Sequence, residues 1–152
     1  MKKSILQRTL TLATALALVL GVGTASAELD PKAVVYKLPA EIPWKASANG
    51  GSETAVLVGD PAKPGLYVVL TKWKPNNNSR PHSHPNDRFI TVLSGTWWVN
   101  TGANYDPAGF KPIPAGSFVT HYANEVHYDG ARDGEVILQI VGIGPATSTP
   151  AK

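Results

Sequence analysis

Three histidines carry the clearest chemistry in this 152-residue chain. His82 and His84 lie one residue apart, between Pro81 and Pro85. In an extended segment, residues i and i+2 point to the same side, so two imidazoles placed in this way can close on one ion. The flanking prolines favour and stiffen such a segment. We therefore interpret the pair as two metal ligands, and the alternative is a pair of solvated loop histidines.

A third ligand must come from a neighbouring strand, and His127 is the best candidate for it. Imidazole suits first-row divalent metals, and three protein ligands leave coordination positions open for water or substrate. The sequence therefore predicts a divalent ion, either Fe, Zn, Mn or Ni, bound by His82, His84 and His127. A small-molecule ligand is the expected partner of this site.

The segments that must position these histidines have the composition of β-strands. Short runs rich in Val, Ile, Thr and aromatic residues alternate with clusters of Pro, Gly, Asn and Asp, which favour turns. No apolar period typical of a helix follows the first 27 residues. This pattern predicts an all-β sandwich or barrel with loosely held ends at 28–33 and 145–152. The β-rich runs are 55–58, 66–73, 89–93, 96–99, 118–120, 126–128 and 136–141.

Two segments resemble the paired sequence motifs of the cupins, which are jelly-roll β-barrels. The first cupin motif is G-x5-H-x-H-x3-4-E-x6-G, and residues 81–95 are similar to it from the first His to the closing Gly95. The second motif, G-x5-P-x-G-x2-H-x3-N, has the same length as residues 116–127 up to its His. The resemblance covers about 56–145. It implies a single jelly-roll β-barrel, with one cupin domain over residues 28–152 and a core at about 55–145.

The chain departs from the cupin pattern at several positions. Asn76 stands in place of the opening Gly of the first motif, and asparagine can also adopt a left-handed turn. The Glu that usually ligates the metal in cupins falls on Arg88, because Gly95 fixes the count. A guanidinium cannot ligate a cation, so the site resembles the three-histidine variant of the family. In the second motif, Pro, Gly and the final Asn are replaced by Tyr122, Asn124 and Ala131.

Arg88 has two interpretations. By strand alternation with Ile90 and Val92, its side chain points into the predicted barrel, near the histidines. A buried arginine needs a partner, which is either an internal carboxylate in a structural ion pair or an anionic group of the substrate. In the second case Arg88 is a catalytic residue that clamps and orients the substrate. Asp87 would supply the missing oxygen ligand if the strand is bulged.

Four further residues are candidates for the site. His121 lies six positions before His127 and either supports the metal ligands from behind, acts as a fourth ligand, or is a partly buried structural histidine. Trp97 and Trp98 point to opposite faces of a strand, so one of them should line the pocket unless both only fill the core. Tyr128 is a candidate catalytic proton donor, with a packed aromatic as the alternative.

Three functions are compatible with these residues. The resemblance to cupins implies a metal-dependent enzyme, dioxygenase-like or an isomerase or lyase, that acts on a small organic substrate. Arg88 suggests that this substrate is anionic. The second function is a non-catalytic cupin that binds a metal, a sugar or a small acid. The third is a metal-free barrel whose histidines are structural, because a fold does not by itself determine a function.

Residues 1–27 have the pattern of a secretory signal peptide. Three basic residues precede an apolar run at 10–22, and small residues at 25–27 form a cleavage signature. A membrane anchor is the alternative, but the run is shorter than the roughly 20 residues that a span needs. We therefore expect a periplasmic or secreted protein that has no contact with the membrane after cleavage.

The charge balance excludes one class of partner. The three basic residues of the leader account for the formal charge of +3, so residues 28–152 carry eleven basic and eleven acidic side chains. No basic surface for nucleic acid is implied. The chain has no cysteine, so packing must hold the exported protein together without disulfides.

A strand with two apolar faces predicts a homodimer. Phe89, Thr91 and Leu93 share one face of the strand, while Ile90 and Val92 share the other. The barrel core covers one face, and either the arm at 31–44 or a second subunit covers the other. We expect the second subunit, because exposed apolar strand faces promote association.

Cleavage after Ala27 is testable on exported protein. N-terminal sequencing and intact mass should both give Glu28 as the first residue, because the small-residue signature ends at Ala27. An intact Met1 on exported protein, or retention in washed membranes, would contradict this prediction.

Overall fold

The computed structural model describes residues 28–152, in two units, 28–36 and 37–152. The first unit contains a turn in which the amides of Ala33 and Val34 both donate to the carbonyl of Asp30. The predicted signal peptide at 1–27 lies outside the described residues. Within 28–152, no helix is long and apolar enough to cross a membrane.

The second unit is almost entirely β-structure, as its β-branched and aromatic runs predict. Its only helical element is one turn of 3-10 helix, Pro39–Glu41, in which the Glu41 side chain accepts a hydrogen bond from the amide of Leu38 at 2.7 Å. The strands are β1 (Lys45–Ala46), β2 (Ser52–Val58), β3 (Gly65–Trp73), β4 (His82–Ser83), β5 (Arg88–Ser94), β6 (Thr96–Thr101), β7 (Lys111–Pro114), β8 (Phe118–His121), β9 (His127–Gly130), β10 (Val136–Gly144) and β11 (Thr149–Pro150).

These strands form two antiparallel sheets. The larger sheet has the order β1-β2-β3-β10-β5-β8, and the smaller sheet has the order β11-β4-β9-β6-β7. Sequence neighbours β5 and β6 lie in different sheets, so the chain crosses between the layers at the turn that contains Gly95. The architecture confirms the predicted all-β jelly roll.

The core lies between the two sheets and follows strand alternation. In the central strand β10, every second residue from Val136 to Ile140 is buried, while the residues between them are half-buried. Burial of each such aliphatic side chain contributes roughly 1.5–3 kcal/mol. The buried cluster consists of Tyr67, Val69, Ile90, Val92, Trp97, Ala131, Val136, Leu138 and Ile140.

Two asparagines at motif-glycine positions have the left-handed backbone conformation that glycine adopts most readily. Asn76 and Asn124 have φ values of 60° and 63°, in the left-handed region that asparagine tolerates better than other side chains. Only glycine fits at position 95, because Gly95 has a φ of 76° and a Cβ there would lie 2.2 Å from the carbonyl oxygen of Glu135.

The C-terminal segment is better held than its composition suggests. Thr149 and Pro150 form β11 and pair with Ser83 and His82 of β4. The prediction of a loose end over 145–152 is therefore wrong at these positions. The sequence carries no strand signal there, because the pairing depends on a partner more than 60 residues away.

Candidate metal centre

The three predicted ligands come together through one pairing in the smaller sheet. His82 of β4 and His127 of β9 are register partners, so their Cα atoms lie opposite each other. His84 follows β4 on the same side, and its carbonyl accepts a hydrogen bond of 2.7 Å from the amide of Asn124. His84 and His127 are buried, whereas His82 is half-buried.

Backbone carbonyls fix the tautomer of all three imidazoles. Nδ1 of His82 lies 2.7 Å from the carbonyl oxygen of Arg80, Nδ1 of His84 lies 2.8 Å from that of Thr147, and Nδ1 of His127 lies 3.1 Å from that of Glu125. A carbonyl only accepts, so each Nδ1 donates its proton. Each neutral ring then has its lone pair on Nε2. Metal-ligating histidines in proteins commonly have this arrangement.

The three Nε2 atoms converge. Nε2 of His82 and Nε2 of His84 are 3.1 Å apart, and Nε2 of His127 is buried without a hydrogen-bond partner among residues 28–152. The ring centroids lie 4.7–5.3 Å from one another, and the possible ligand atoms lie within 4.8 Å. Metal–nitrogen bonds of about 2.0–2.1 Å require separations of at most about 4.2 Å, so small ring movements suffice. The guanidinium of Arg88 donates to Nε2 of His84, and the cluster of three Nε2 atoms fits a divalent ion that would replace this contact.

The electrostatics keep these ligands neutral. Burial lowers the pKa of His84 to about 3, with the nearby Arg88 charge acting in the same direction. Burial also lowers the pKa of His127 to about 4, assisted by His82. A neutral imidazole is the form that ligates a metal, so both residues are ready to ligate at neutral pH.

A cavity of about 590 Å³ opens from the histidines into the space between the sheets. Its volume is within the usual range for small-molecule sites. The apolar lining includes Ile90, Trp97, Leu138 and Ile140. The polar lining consists of Ser52, Thr54, Thr71, Ser79, Arg80, His82, His84, Arg88, His121, Asp129 and Ser148.

Arg88 lies in this cavity, as strand alternation predicts. Its Nη1 donates to Nε2 of His84, and its buried Nε has no partner among the described residues. Within 28–152, no carboxylate lies within 4.0 Å of the guanidinium, which excludes the structural ion pair. The guanidinium is therefore a partly buried cation without a fixed anion.

The two tryptophans lie on opposite faces of β6, and only one reaches the cavity. Trp97 is 1% exposed, lines the cavity and lies 5.3 Å from His121, measured between ring centroids. Trp98 faces the other way and stacks under the guanidinium of Arg132 at 4.1 Å. The predicted pocket role is therefore wrong for Trp98.

Tyr128 also faces away from the histidines, so its predicted role as a catalytic proton donor needs correction. Its hydroxyl accepts hydrogen bonds from Nδ2 of Asn100 at 2.6 Å and from the amide of Asp106 at 2.9 Å. Its ring is fully buried. Consecutive residues of a strand point to opposite faces, so Tyr128 must lie opposite its neighbour His127. Tyr128 anchors the loop before β7.

The carboxylate of Asp87 does not reach the metal cluster either. Its Oδ1 accepts a hydrogen bond of 2.7 Å from the amide of Ala123, and so it braces the loop after β8. The predicted oxygen ligand at Asp87 depends on a bulge in the strand. The register shift of β5 against β10 lies at Ile137 and Leu138, far from Asp87.

Asp129 is the residue that the sequence interpretation missed. It lines the cavity and is 8% exposed. Burial raises the pKa of its carboxyl, opposed by the positive charge of Arg88. In the sequence the pair Asp129–Gly130 looks like a turn, but both residues belong to β9. Alternation from His127 would have placed Asp129 on the same face.

Comparison with known proteins identifies the family. Residues 32–146 match the family described as the ChrR cupin-like domain, and the chain belongs to it. No curated protein has a significant sequence match.

Solved structures with the same fold come from several bacteria. The polyketide cyclase RemF from Streptomyces resistomycificus has a TM-score of 0.64 and 13% identity, over 78% of this chain and 86% of that one. A cupin-2 domain from Rhodospirillum rubrum has a TM-score of 0.61 and 13% identity, over 78% and 80% of the two chains. The DMSP lyase DddQ from Ruegeria pomeroyi DSS-3 has a TM-score of 0.59 and 14% identity, over 74% and 64%. These likenesses show the cupin fold.

Removal of any one converging histidine should release bound metal. We expect His82→Ala, His84→Ala and His127→Ala each to weaken Zn²⁺ binding at least about tenfold, because each substitution removes one of the three imidazoles that ligate the ion. His121→Ala is the matched control and should retain most of the Zn²⁺. Zinc content after equilibrium dialysis measures the effect, and an equal loss in the control would contradict the three-histidine assignment.

Proposed function

We propose that this protein is an exported, metal-dependent cupin enzyme that acts on a small organic anion in the cavity between its sheets. The observation that carries the proposal is the convergence of three carbonyl-oriented imidazoles, of which His82 and His84 line a 590 Å³ cavity. The leader pattern at 1–27 supports a periplasmic or secreted location.

The cavity suits an oxygen-rich anion. Arg88 offers a guanidinium without a carboxylate partner, and Arg80 lines the same cavity. On the wall formed by β2 and β3, the hydroxyls of Ser52, Thr54 and Thr71 make no hydrogen bond within the described part of the chain. A hydroxylated carboxylic acid would satisfy both features, because its carboxylate pairs with arginine and its hydroxyls with this wall.

The residues of the chain have distinct roles in this proposal. A divalent ion held by His82, His84 and His127 would supply Lewis-acid polarisation of a substrate oxygen. His84 Nε2 accepts a hydrogen bond from Arg88, so His84 would have to release the guanidinium in order to hold a divalent ion, and Arg88 would then be available to the substrate. Trp97 and the rest of the apolar lining exclude water around the bound molecule.

The reaction class is either lyase or isomerase chemistry, or a dioxygenase-like reaction. Among proteins of the same fold are a polyketide cyclase and DMSP lyases. These names support the first class. The three-histidine variant of the cupin motif, with Arg88 at the acidic position, is also compatible with a dioxygenase-like reaction.

Metal-dependent turnover is the direct test. The mature protein, loaded separately with Fe²⁺, Zn²⁺, Mn²⁺ or Ni²⁺, is incubated with a panel of small hydroxylated carboxylic acids, and products are followed by NMR together with oxygen uptake. We expect depletion of at least one acid that depends on metal and is lost in His84→Ala. Turnover without oxygen uptake assigns lyase or isomerase chemistry. Binding of an acid that stays chemically unchanged with every metal would make the protein a non-catalytic binding module.

Arg88 should bind the anion rather than hold the fold together. We expect Arg88→Ala to keep the metal and to weaken binding of small carboxylates by about 2–5 kcal/mol, the usual cost of losing one partner of a buried charge pair. Arg88→Lys is the matched control and should rescue only in part, because an ammonium lacks the planar fork. Arg88→Glu restores the acidic ligand of the cupin motif, so it should tighten metal binding and abolish anion binding.

Calorimetric titration of metal and carboxylate measures these effects, and thermal melts separate the alternative. A large drop in the melting temperature of metal-free Arg88→Ala would contradict the clamp and indicate a structural role. The structure shows no carboxylate that such a substitution would leave unpaired within 4.0 Å of the guanidinium in residues 28–152.

We also propose a homodimer formed through the outer face of the larger sheet. Phe89 and Phe118 stack there at 6.4 Å between ring centroids and are 44% and 66% exposed. Leu93 is 48% exposed on the same strand as Phe89. With equal numbers of basic and acidic residues in 28–152, a second copy meets no net repulsion, and pairing would cover this apolar face.

Disruption of that face should yield a monomer. Light scattering at micromolar concentration should give twice the chain mass for the wild type and a single chain mass for Phe118→Glu, because a charge cannot be buried unpaired in an apolar interface. Thr96→Glu, at an exposed strand position of the smaller sheet, is the control and should remain dimeric. A monomeric wild type across this concentration range would count against the dimer.

A further inference from the structure

The cavity contains a second set of metal-ligating groups that the three-histidine cluster does not use. We propose that His121, His127 and Asp129 form an inner site for one divalent cation of the harder kind, such as Mn²⁺ or Fe²⁺. This inference deepens the proposed function and rests on metal binding in the same cavity. His127 is the one residue that the inner site shares with the outer site of His82 and His84.

The geometry of the inner site is compact. The ligand atoms of its three residues lie within 4.8 Å of one another, and all three side chains are buried. The rings of His121 and His127 are 3.7 Å apart between centroids. His127 and Asp129 come from alternate positions of β9, and His121 ends β8. Strands of both sheets therefore hold the set.

The buried and unpartnered ring of His121 is the main evidence for the inner site. It is 7% exposed, and neither of its ring nitrogens has a hydrogen-bond partner within residues 28–152. A buried polar side chain without partners is destabilising, and such groups in folded proteins usually have a role. The residue lines the cavity, and a ring nitrogen of His121 lies within 4.8 Å of the possible ligand atoms of His127 and Asp129. Burial lowers the pKa of His121 to about 2, which keeps it in the ligating form.

Asp129 supplies the carboxyl group that the outer site lacks, and its ionised form, which burial disfavours, would be stabilised by a bound cation. It is 8% exposed and forms no ion pair with any Lys or Arg within 4.0 Å in residues 28–152. A buried carboxylate is normally paired or ligates a metal. Because the acidic position of the cupin motif is Arg88 here, Asp129 is the carboxylate that lines the cavity.

The two sites differ in the metal that they prefer. Three imidazoles suit Zn²⁺ and Ni²⁺, whereas a carboxylate favours harder ions such as Mn²⁺, and two histidines with one carboxylate suit non-haem Fe²⁺. His127 Nδ1 donates to the carbonyl of Glu125, so its single Nε2 lone pair serves one ion at a time. The inner and outer sites are therefore mutually exclusive, and the identity of the metal decides which one is occupied.

Paired titrations with Mn²⁺ and Zn²⁺ on the mature protein test this proposal. The outer variant is His82→Ala/His84→Ala, and the inner variants are Asp129→Asn and His121→Ala. We expect the outer variant to lose Zn²⁺ affinity at least about tenfold and to keep its Mn²⁺ affinity within about threefold. The inner variants should show the reverse. Asp133→Asn is the matched control, since Asp133 is exposed in a loop, and should leave both affinities unchanged.

The outcomes separate this proposal from the proposed function. If the outer variant loses Mn²⁺ and both inner variants bind Mn²⁺ fully, the proposal of an inner site is wrong, while the assignment of the outer site stands. Binding of neither ion by the wild type would overturn both. Asp129→Asn and His121→Ala change different strands, so if circular dichroism shows that one of them is unfolded, the other still decides the result. In the outer-variant background, Asp129→Asn should abolish the remaining Mn²⁺ binding, and unchanged binding there would also overturn the proposal.

Discussion

Hydrogen bonds from three imidazole Nδ1 atoms to backbone carbonyls are the constraint on which the site depends. They fix each tautomer and turn each Nε2 toward a common point. For His82 and His127 the acceptor lies two residues earlier in the same chain segment, so local backbone geometry sets the ring. For His84 the acceptor is Thr147, which lies just before β11. The pairing of β11 with β4 therefore positions a ligand as well as closing the edge of the sheet.

The cavity holds a guanidinium and a buried carboxyl group that form no direct ion pair, and burial raises the pKa of that carboxyl. Arg88 enters from the larger sheet and Asp129 from the smaller one, and no ion pair joins them within 4.0 Å. Desolvated charges of this kind are costly unless a ligand or ion completes them. An anion bound beside Arg88 and a cation bound beside Asp129 would together supply the missing partners of both side chains. The arrangement of the charges thus favours a site for a metal together with an acid over a metal-free barrel.

Strand periodicity predicted an all-β fold and which side chains share a face, whereas the jelly roll was implied by the resemblance to the cupin motifs. The i, i+2 pair at His82 and His84 and the inward direction of Arg88 follow from that rule. The same rule, applied from His127, would have excluded Tyr128 and found Asp129. Asp129 was missed because an Asp-Gly pair is typical of turns. In the structure Gly130 instead allows β9 to approach Asn77 closely, since a Cβ on Gly130 would lie 2.2 Å from the carbonyl oxygen of Asn77. The pairing of β11 could not be predicted, since it rests on a contact distant in sequence rather than on local propensity.

The exchange of an acidic residue for Arg88 changes the chemistry of the site without disturbing its frame. The backbone at the two Gly-to-Asn positions keeps its left-handed turns, and Gly95 keeps its close approach to Glu135. What changes is the charge beside His84, which is positive here. Arg88 contacts Nε2 of His84, which is also a ligand atom of the outer site. A cation at the outer site would therefore compete with the guanidinium for this nitrogen. An anion that draws the guanidinium away from His84 would favour binding of the cation. In the proposed function, metal and acid binding would therefore be coupled through one side chain, and by linkage each would strengthen the other by the same factor.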